Sequence, residues 1–317
     1  MLSGPRTSTA LVVGGGTMGA DVAMVLARAG CKAIVLESSS VRLQSLPDYF
    51  SRGMADLGYS HRADRLSTCS SLNEVPWSNV DLVIECIPEQ LDIKQALFAE
   101  LVRRVRPDAL LTSNSSSFPI SAIAEGLMSA SRMFGLHFFM PAHLVPLVEV
   151  ILGKDSEPDN ADQLMAFMRA CGMVPVLVKK DLPGFLANRL QHALAREAFA
   201  MIEDGVATAE DVDKAVRFGF GFRFLAAGPV LQRDHAGVEV HTAAAATMYP
   251  SLSVATVPSK ALRDKVASGK LGMKTGEGFF RWTQEAAAAE RKRYDDILRA
   301  GLKLIAAELP KIDADEA

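Results

Sequence analysis

The stretch Ala10–Glu37, ALVVGGGTMGADVAMVLARAGCKAIVLE, decides the fold. An apolar run from Ala10 to Val13 breaks into Gly14, Gly16 and Gly19, a helical stretch covers Met18 to Ala29, and a second apolar run extends from Ala33 to Glu37. Glycines spaced in this way, just after a strand and at a helix start, have separate uses. The first permits the turn, the second lets the backbone approach a pyrophosphate, and the third lets the helix pack on the sheet. The phosphates then meet the positive end of the helix. Glu37 stands 18 positions beyond Gly19, close to the spacing of an acid that binds adenosine ribose hydroxyls. A carboxylate there accepts hydrogen bonds from the ribose of NAD and repels the 2′-phosphate of NADP. The cofactor read from this stretch is therefore NAD, with Arg42 as the nearest counter-argument.

Working outward, short β-rich runs alternate with helical stretches, the pattern of a parallel sheet covered by helices. Strands are expected at Asp81–Cys86, Ala109–Thr112, Met133–Phe138, Leu147–Leu152 and Val174–Val178, and helices at Ile93–Val105 and Asn160–Cys171. The character changes at KKDLPG, Lys179–Gly184, after which helical patterns take over. Phe185–Asp204 reads as one long helix, followed by helical pieces at Ala209–Arg217, Pro258–Ala267 and Ala286–Leu309. The expected fold is α/β, an N-terminal Rossmann-type doubly wound parallel sheet over residues 1–181 and an all-α C-terminal domain over 182–317.

Composition narrows the partners. The chain has 317 residues, and 34 basic against 37 acidic residues leave a net charge of −3 with no basic block, so neither nucleic acid nor an anionic membrane is the natural partner. No apolar run reaches the length of a membrane span, and the N-terminus reaches its first strand with no room for a signal peptide's apolar core. Cys31, Cys69, Cys86 and Cys171 show no CxxC spacing and point to a reducing cytosol. No zinc signature is present, and His143, His192, His235 and His241 read as structural or surface residues.

The chemical end lies in LLTSNSSSFPI, starting at Leu111, and GLHFFMPAHLVPLVEV, ending at Val150. Oxidising a secondary alcohol by hydride transfer requires a base, a partner that holds the base, and hydrogen bonds that orient the oxygen. Ser116 and His137 should both fall at the carboxyl edge of the sheet, and a strand, loop and strand can return Glu149 to the side of His137. Asn188, early in the long helix, could reach back from the second domain to the same oxygen. From pattern alone, His137 could equally be a core histidine, the serines a turn, and Glu149 an edge-strand charge. In DLVIECIPEQLDIKQALF, Glu89 and Lys94 fall where such sheets bind ligands, though they read equally as a helix-start acid and a solvated lysine.

With these residues in hand, the chain resembles the L-3-hydroxyacyl-CoA dehydrogenase family from about Ala10 to Trp282. The blocks that carry the likeness are GGGTMG, SNSSS with GLHFF and LVEV, DLPGFLANRL, and KTGEGFF. The resemblance implies that Ser116 and Asn188 bind the substrate oxygen, that His137 is the acid/base and that Glu149 is its partner. It places Gly14, Gly16, Thr17, Met18, Gly19, Glu37, Glu89, Lys94, Asn114 and Lys274 among the NAD contacts, and implies a small 3-hydroxy or 3-oxo acyl substrate and a homodimer.

Two departures stand out. The family's HFFNP becomes His137, Phe138, Phe139, Met140 and Pro141, which replaces an amide by a thioether. The long, often lysine-bearing hairpin after the second strand shrinks to Ser38–Leu66, which contains no lysine. The second half, with FGFGFRF at Phe218–Phe224, is similar to the L-gulonate 3-dehydrogenase and L-carnitine dehydrogenase group, which acts on free 3-hydroxy acids. Arg189 and Arg223 are the candidates for holding a free carboxylate, or else are surface arginines. Whether the substrate carries coenzyme A stays open on sequence alone, as does a silent NAD-binding role.

Overall fold

Eight strands form one sheet: β1 (Thr9–Val13), β2 (Lys32–Leu36), β3 (Leu66–Cys69), β4 (Leu82–Glu85), β5 (Leu110–Ser113), β6 (Met133–Phe138), β7 (Leu147–Leu152) and β8 (Val174–Val178). Their order is β3-β2-β1-β4-β5-β6-β7-β8, and every neighbouring pair is parallel except β6 and β7. The computed structural model describes residues 2–312.

The helices are α1 (Thr17–Arg28), α2 (Ser40–Asp56), α3 (Leu91–Leu101), α4 (Ile120–Ile123), α5 (Pro158–Ala170), α6 (Ala187–Glu203), α7 (Ala209–Ala215), α8 (Leu231–Ala236), α9 (Val238–Met248), α10 (Lys260–Ala267) and α11 (Gln284–Leu304). Two apolar clusters coat the sheet. One draws on α1, α2 and α5 and the other on α3 and α4, so both faces are covered. A sheet buried on both faces needs near-continuous apolar strands. Leu82–Glu85 and Met133–Phe138 are buried at every position.

Two elements depart from the sequence expectation. Leu66–Cys69 is a strand, although LSTC is short and polar enough to read as a loop; it lies at the sheet edge, where burial is lowest. Ser40–Asp56 is a single helix despite Pro47, with Leu46, Phe50 and Met54 on its buried face. The sheet is parallel but for one pair, because β7 returns antiparallel to β6, the return expected to bring Glu149 beside His137.

The chain divides into two compact units. One runs to Asn188 and includes the described residues from Ala306, and the other is Arg189–Ile305. Asn188 thus belongs to the sheet-bearing unit and not to the helical one. Within the helical unit, Ala227 and Ala287 are the only buried hydrophobic residues among those described.

Candidate functional site

The strand order reverses between β1 and β4, and ligands of open α/β sheets bind beyond the carboxyl ends of strands at such a point. The glycine turn sits there. Gly14 takes φ +104°, and a Cβ on it would lie 2.7 Å from the Cys86 carbonyl oxygen. A Cβ on Gly19 would lie 1.8 Å from the Gly14 carbonyl oxygen. A Cβ on Gly16 would meet nothing within 4 Å, so its open side is left for a ligand. Gly16 also supplies no side-chain cap to α1, Thr17 is exposed, and Met18 packs partly against the core.

Glu37 Oε2 accepts from the Gly15 N–H at 2.9 Å, and Oε1 accepts from the Ser39 N–H at 2.7 Å, which fixes the carboxylate beside the turn. Arg42 Nε donates to the Gly15 carbonyl at 2.7 Å. An open backbone cradle, an uncapped helix start and a fixed acid suit the pyrophosphate and ribose of a dinucleotide. Cys86 borders the turn, and burial raises its thiol above the ordinary range, so it stays protonated.

His137 and Glu149 face each other across the β6–β7 ladder. His137 Nδ1 lies 2.8 Å from Glu149 Oε2. A carboxylate only accepts, so Nδ1 carries a proton, and Nε2 is turned to Ser116 Oγ, 3.0 Å away. The second Glu149 oxygen accepts from the Leu186 and Ala187 N–H groups at 3.1 and 2.8 Å, at the start of α6. A buried anion is costly unless paired and hydrogen-bonded, and here the helix N-terminus adds a favourable dipole. The imidazole packs on Phe139 at 4.5 Å and on Phe185 at 5.6 Å between ring centroids. Phe185 holds φ +51°, a left-handed conformation that strains a bulky residue.

The serine turn is held from below. Glu89 Oε1 accepts from the hydroxyls of Ser115 and Ser117 at 2.5 and 2.8 Å, and from the N–H groups of Ser116 and Ser117 at 3.1 and 3.0 Å. Burial opposes ionisation of Glu89, but those hydroxyls, the Lys94 ammonium and the Ser117 N–H outweigh it and hold the carboxyl at about 2. Lys94 is buried and not solvated. Its ammonium lies 2.7 Å from Glu85, 3.1 Å from Glu89 and 3.3 Å from the Ile87 carbonyl, which accounts for its three donors.

Asn114 Oδ1 accepts from the Phe138 N–H at 2.8 Å and so ties the serine turn to the end of β6. Asn188 Nδ2 donates to the Ser116 carbonyl at 3.4 Å. Lys274 lies exposed in the helical unit, in the turn Met273–Thr275, and Arg189 and Arg223 are exposed in the same unit.

Sequence reasoning missed Glu85 and Phe185. Glu85 is fully buried and accepts from Ser113 Oγ at 2.5 Å, the Ile87 N–H at 2.7 Å and Lys94. An acid in the apolar run LVIEC was a readable signal, but the positive φ of Phe185 left no trace in residue type.

The 3-hydroxyacyl-CoA dehydrogenase NAD binding domain matches residues 9–182, and the C-terminal domain of the same family matches residues 184–282. The chain belongs to the 3-hydroxyacyl-CoA dehydrogenase family. Like other members of that family, it is an NAD-dependent oxidoreductase acting on CH–OH groups. It is 32% identical over 290 residues to 5-formyl-3-hydroxy-2-methylpyridine 4-carboxylate 5-dehydrogenase of Mesorhizobium japonicum, covering 89% of this chain and 94% of that one. A crystal structure of an enzyme of that name, described as an NAD+ dependent dismutase, superposes with a TM-score of 0.88 at 28% identity, over 94% of this chain and 98% of the other. L-carnitine dehydrogenase of Pseudomonas putida is 34% identical over 245 residues, 76% of this chain and 75% of the relative.

Proposed function

We propose that this family member interconverts an L-3-hydroxy acyl substrate and its 3-oxo product, with His137 as the acid and base. The observation that carries the reading is the line from Ser116 Oγ through the His137 ring to Glu149 Oε2, at 3.0 and 2.8 Å, with the other Glu149 oxygen held by the start of α6. NAD, when bound, supplies the acceptor or donor of the hydride at the carbon that carries the hydroxyl. The cradle at Gly14, Gly16 and Gly19 and the carboxylate of Glu37 would hold it.

In the oxidising direction Nε2 takes the hydroxyl proton, and Glu149 stabilises the imidazolium that results. Ser116, set in place by Glu89, orients the same oxygen, and Asn188 holds the backbone of the serine turn. In the reducing direction His137 returns the proton to the oxygen. The apolar rings of Phe139 and Phe185 keep water from the imidazole and strengthen its bond to Glu149.

A second reading, a free carboxylic acid in place of a coenzyme A thioester, draws on two of the relatives: neither the pyridine carboxylate dehydrogenase nor L-carnitine dehydrogenase carries coenzyme A in its name, whereas 3-hydroxyadipyl-CoA dehydrogenase of Escherichia coli does. Met140, exposed at the start of the β6–β7 loop where the family resemblance expects an amide, points the same way. The test is spectrophotometric. NADH consumption is compared for acetoacetyl-CoA and free 3-oxo acids, and NAD reduction for 3-hydroxybutyrate, carnitine and gulonate. Faster turnover of the thioester supports the first reading, and faster turnover of a free acid supports the second. NADH binding with no turnover across the panel would overturn both in favour of a silent NAD-binding protein.

The helical unit supports a homodimer. Helices must bury an apolar face against something, yet Leu190, Leu194, Phe218, Phe222, Tyr294 and Ile297 are exposed. An open apolar groove of about 600 Å³ runs between α6, α7 and α11. A second copy is the partner present wherever the chain folds, and obligate homodimers bury faces of this kind. Light scattering should give twice the chain mass, and the unfolding midpoint should rise with protein concentration. A concentration-independent midpoint with a monomer mass would remove the dimer.

A further inference from the structure

Outside the acid–base site, a second set of titratable groups gathers around a buried carboxylate within the same unit. Asp21, in the apolar run ADVAMVL of α1, is 1% exposed. Its Oδ1 accepts from the Tyr49 hydroxyl of α2 at 2.6 Å, and its Oδ2 lies 3.0 Å from His143 Nδ1, within ion-pair reach but outside hydrogen-bond geometry. Arg28, further along α1, donates Nη1 to the His143 carbonyl at 3.4 Å and reaches the Cys171 carbonyl with Nε and Nη2 at 3.4 and 3.3 Å. The guanidinium of Arg42 stands 5.4 Å from the centre of the Tyr49 ring. His143 is therefore gripped by α1 at both its ring and its carbonyl.

His143 belongs to the loop, residues 139–146, that joins the strand of His137 to the strand of Glu149. The loop begins at Phe139, whose ring edge meets the His137 imidazole, and Met140 beside it is 65% exposed. We propose that Asp21 and His143 are positioning residues that clamp this loop, and with it the substrate-side wall of the site, onto the helix that carries the dinucleotide turn; the word substrate here rests on the function proposed above. A well-packed apolar pair would fill the same space at lower cost, since desolvating a carboxylate such as that of Asp21 offsets much of what its polar contacts return. What the cluster supplies instead is a fixed position for one residue of the loop, held by the short Asp21–His143 contact on its ring and by the Arg28 N–H on its carbonyl, where apolar contacts have no direction. Neither residue makes a hydrogen bond or ion pair with His137, Glu149 or Ser116, so the clamp acts through the loop.

The test uses His143→Phe, which keeps the bulk and removes the partner of Asp21, and the double variant Asp21→Asn with His143→Phe, which also removes the buried charge. In His143→Phe, Tm falls and the KM for the better of acetoacetyl-CoA and free acetoacetate rises about tenfold, while kcat stays within about threefold and the NADH Kd within about twofold. In the double variant Tm recovers and KM does not. Return of KM to the wild-type value together with Tm would make the pair a stability element and overturn the proposal, as would an NADH Kd that moves in step with KM. Hydrogen exchange of the 138–146 segment needs no substrate, and so separates this proposal from the choice of function. Faster exchange in both variants is expected, and wild-type exchange in the double variant would also overturn the clamp.

Discussion

His137→Gln is expected to lower turnover by about 10² to 10⁴, the usual worth of a positioned acid or base, while NADH binding is retained. Glutamine suits the test because its amide can still donate to Glu149 Oε2, so the buried carboxylate does not lose its partner along with the base. The cofactor cradle lies on β1 and α1, away from β6, and should not sense the change. Steady-state kinetics with the preferred substrate, beside an NADH fluorescence titration, gives the result. A rate equal to wild type would remove His137 from the chemistry, and lost NADH binding would mean that the substitution disturbed the fold.

The second large effect is expected at the glycine turn, where two neighbouring glycines should respond differently. Gly19→Ala drives a methyl group to 1.8 Å from the Gly14 carbonyl oxygen and 3.3 Å from Cys86 Cβ. The first is a backbone atom that cannot move aside alone, so α1 must shift off the sheet. NADH affinity should fall by about 100-fold or more, roughly 2.7 kcal/mol, with a lowered Tm. Gly16→Ala meets no protein atom within 4 Å and should leave Tm unchanged, weakening NADH about tenfold because its methyl occupies the side open to the ligand. Calorimetry and an NADH titration on both variants read the contrast. Wild-type NADH affinity in Gly19→Ala would sink it.

Much of this architecture can be read in the residues. The glycine spacing followed by an acid gives β1, α1 and β2, and the two apolar runs around His137 and Glu149 give β6 and β7 with their pairing. The unreadable parts depend on partners distant in sequence. Glu89 looks like a helix-start acid until four donors from the serine turn, 26 to 28 positions later, converge on its Oε1. Lys94 looks solvated until Glu85 and Glu89 bury it between them. The second oxygen of Glu149 is used by the start of α6, 37 and 38 positions on, which no local pattern announces. The helices α8 and α9 escape for another reason: alanines around 243–246 read as compositional bias, and no buried stripe marks a face. Asp21 was legible as an acid in an apolar helix, but its partner His143 carried no spacing that linked the two.

The pairing of His137 with Glu149 across antiparallel neighbours has an evolutionary consequence. Their separation is set by the backbone ladder between β6 and β7, not by the eight residues that connect the strands. On the function proposed above, variation can therefore lengthen, shorten or rewrite that connection, changing which substrates are admitted, without altering the spacing of the two residues. A family built in this way can diversify its diet without reinventing its chemistry.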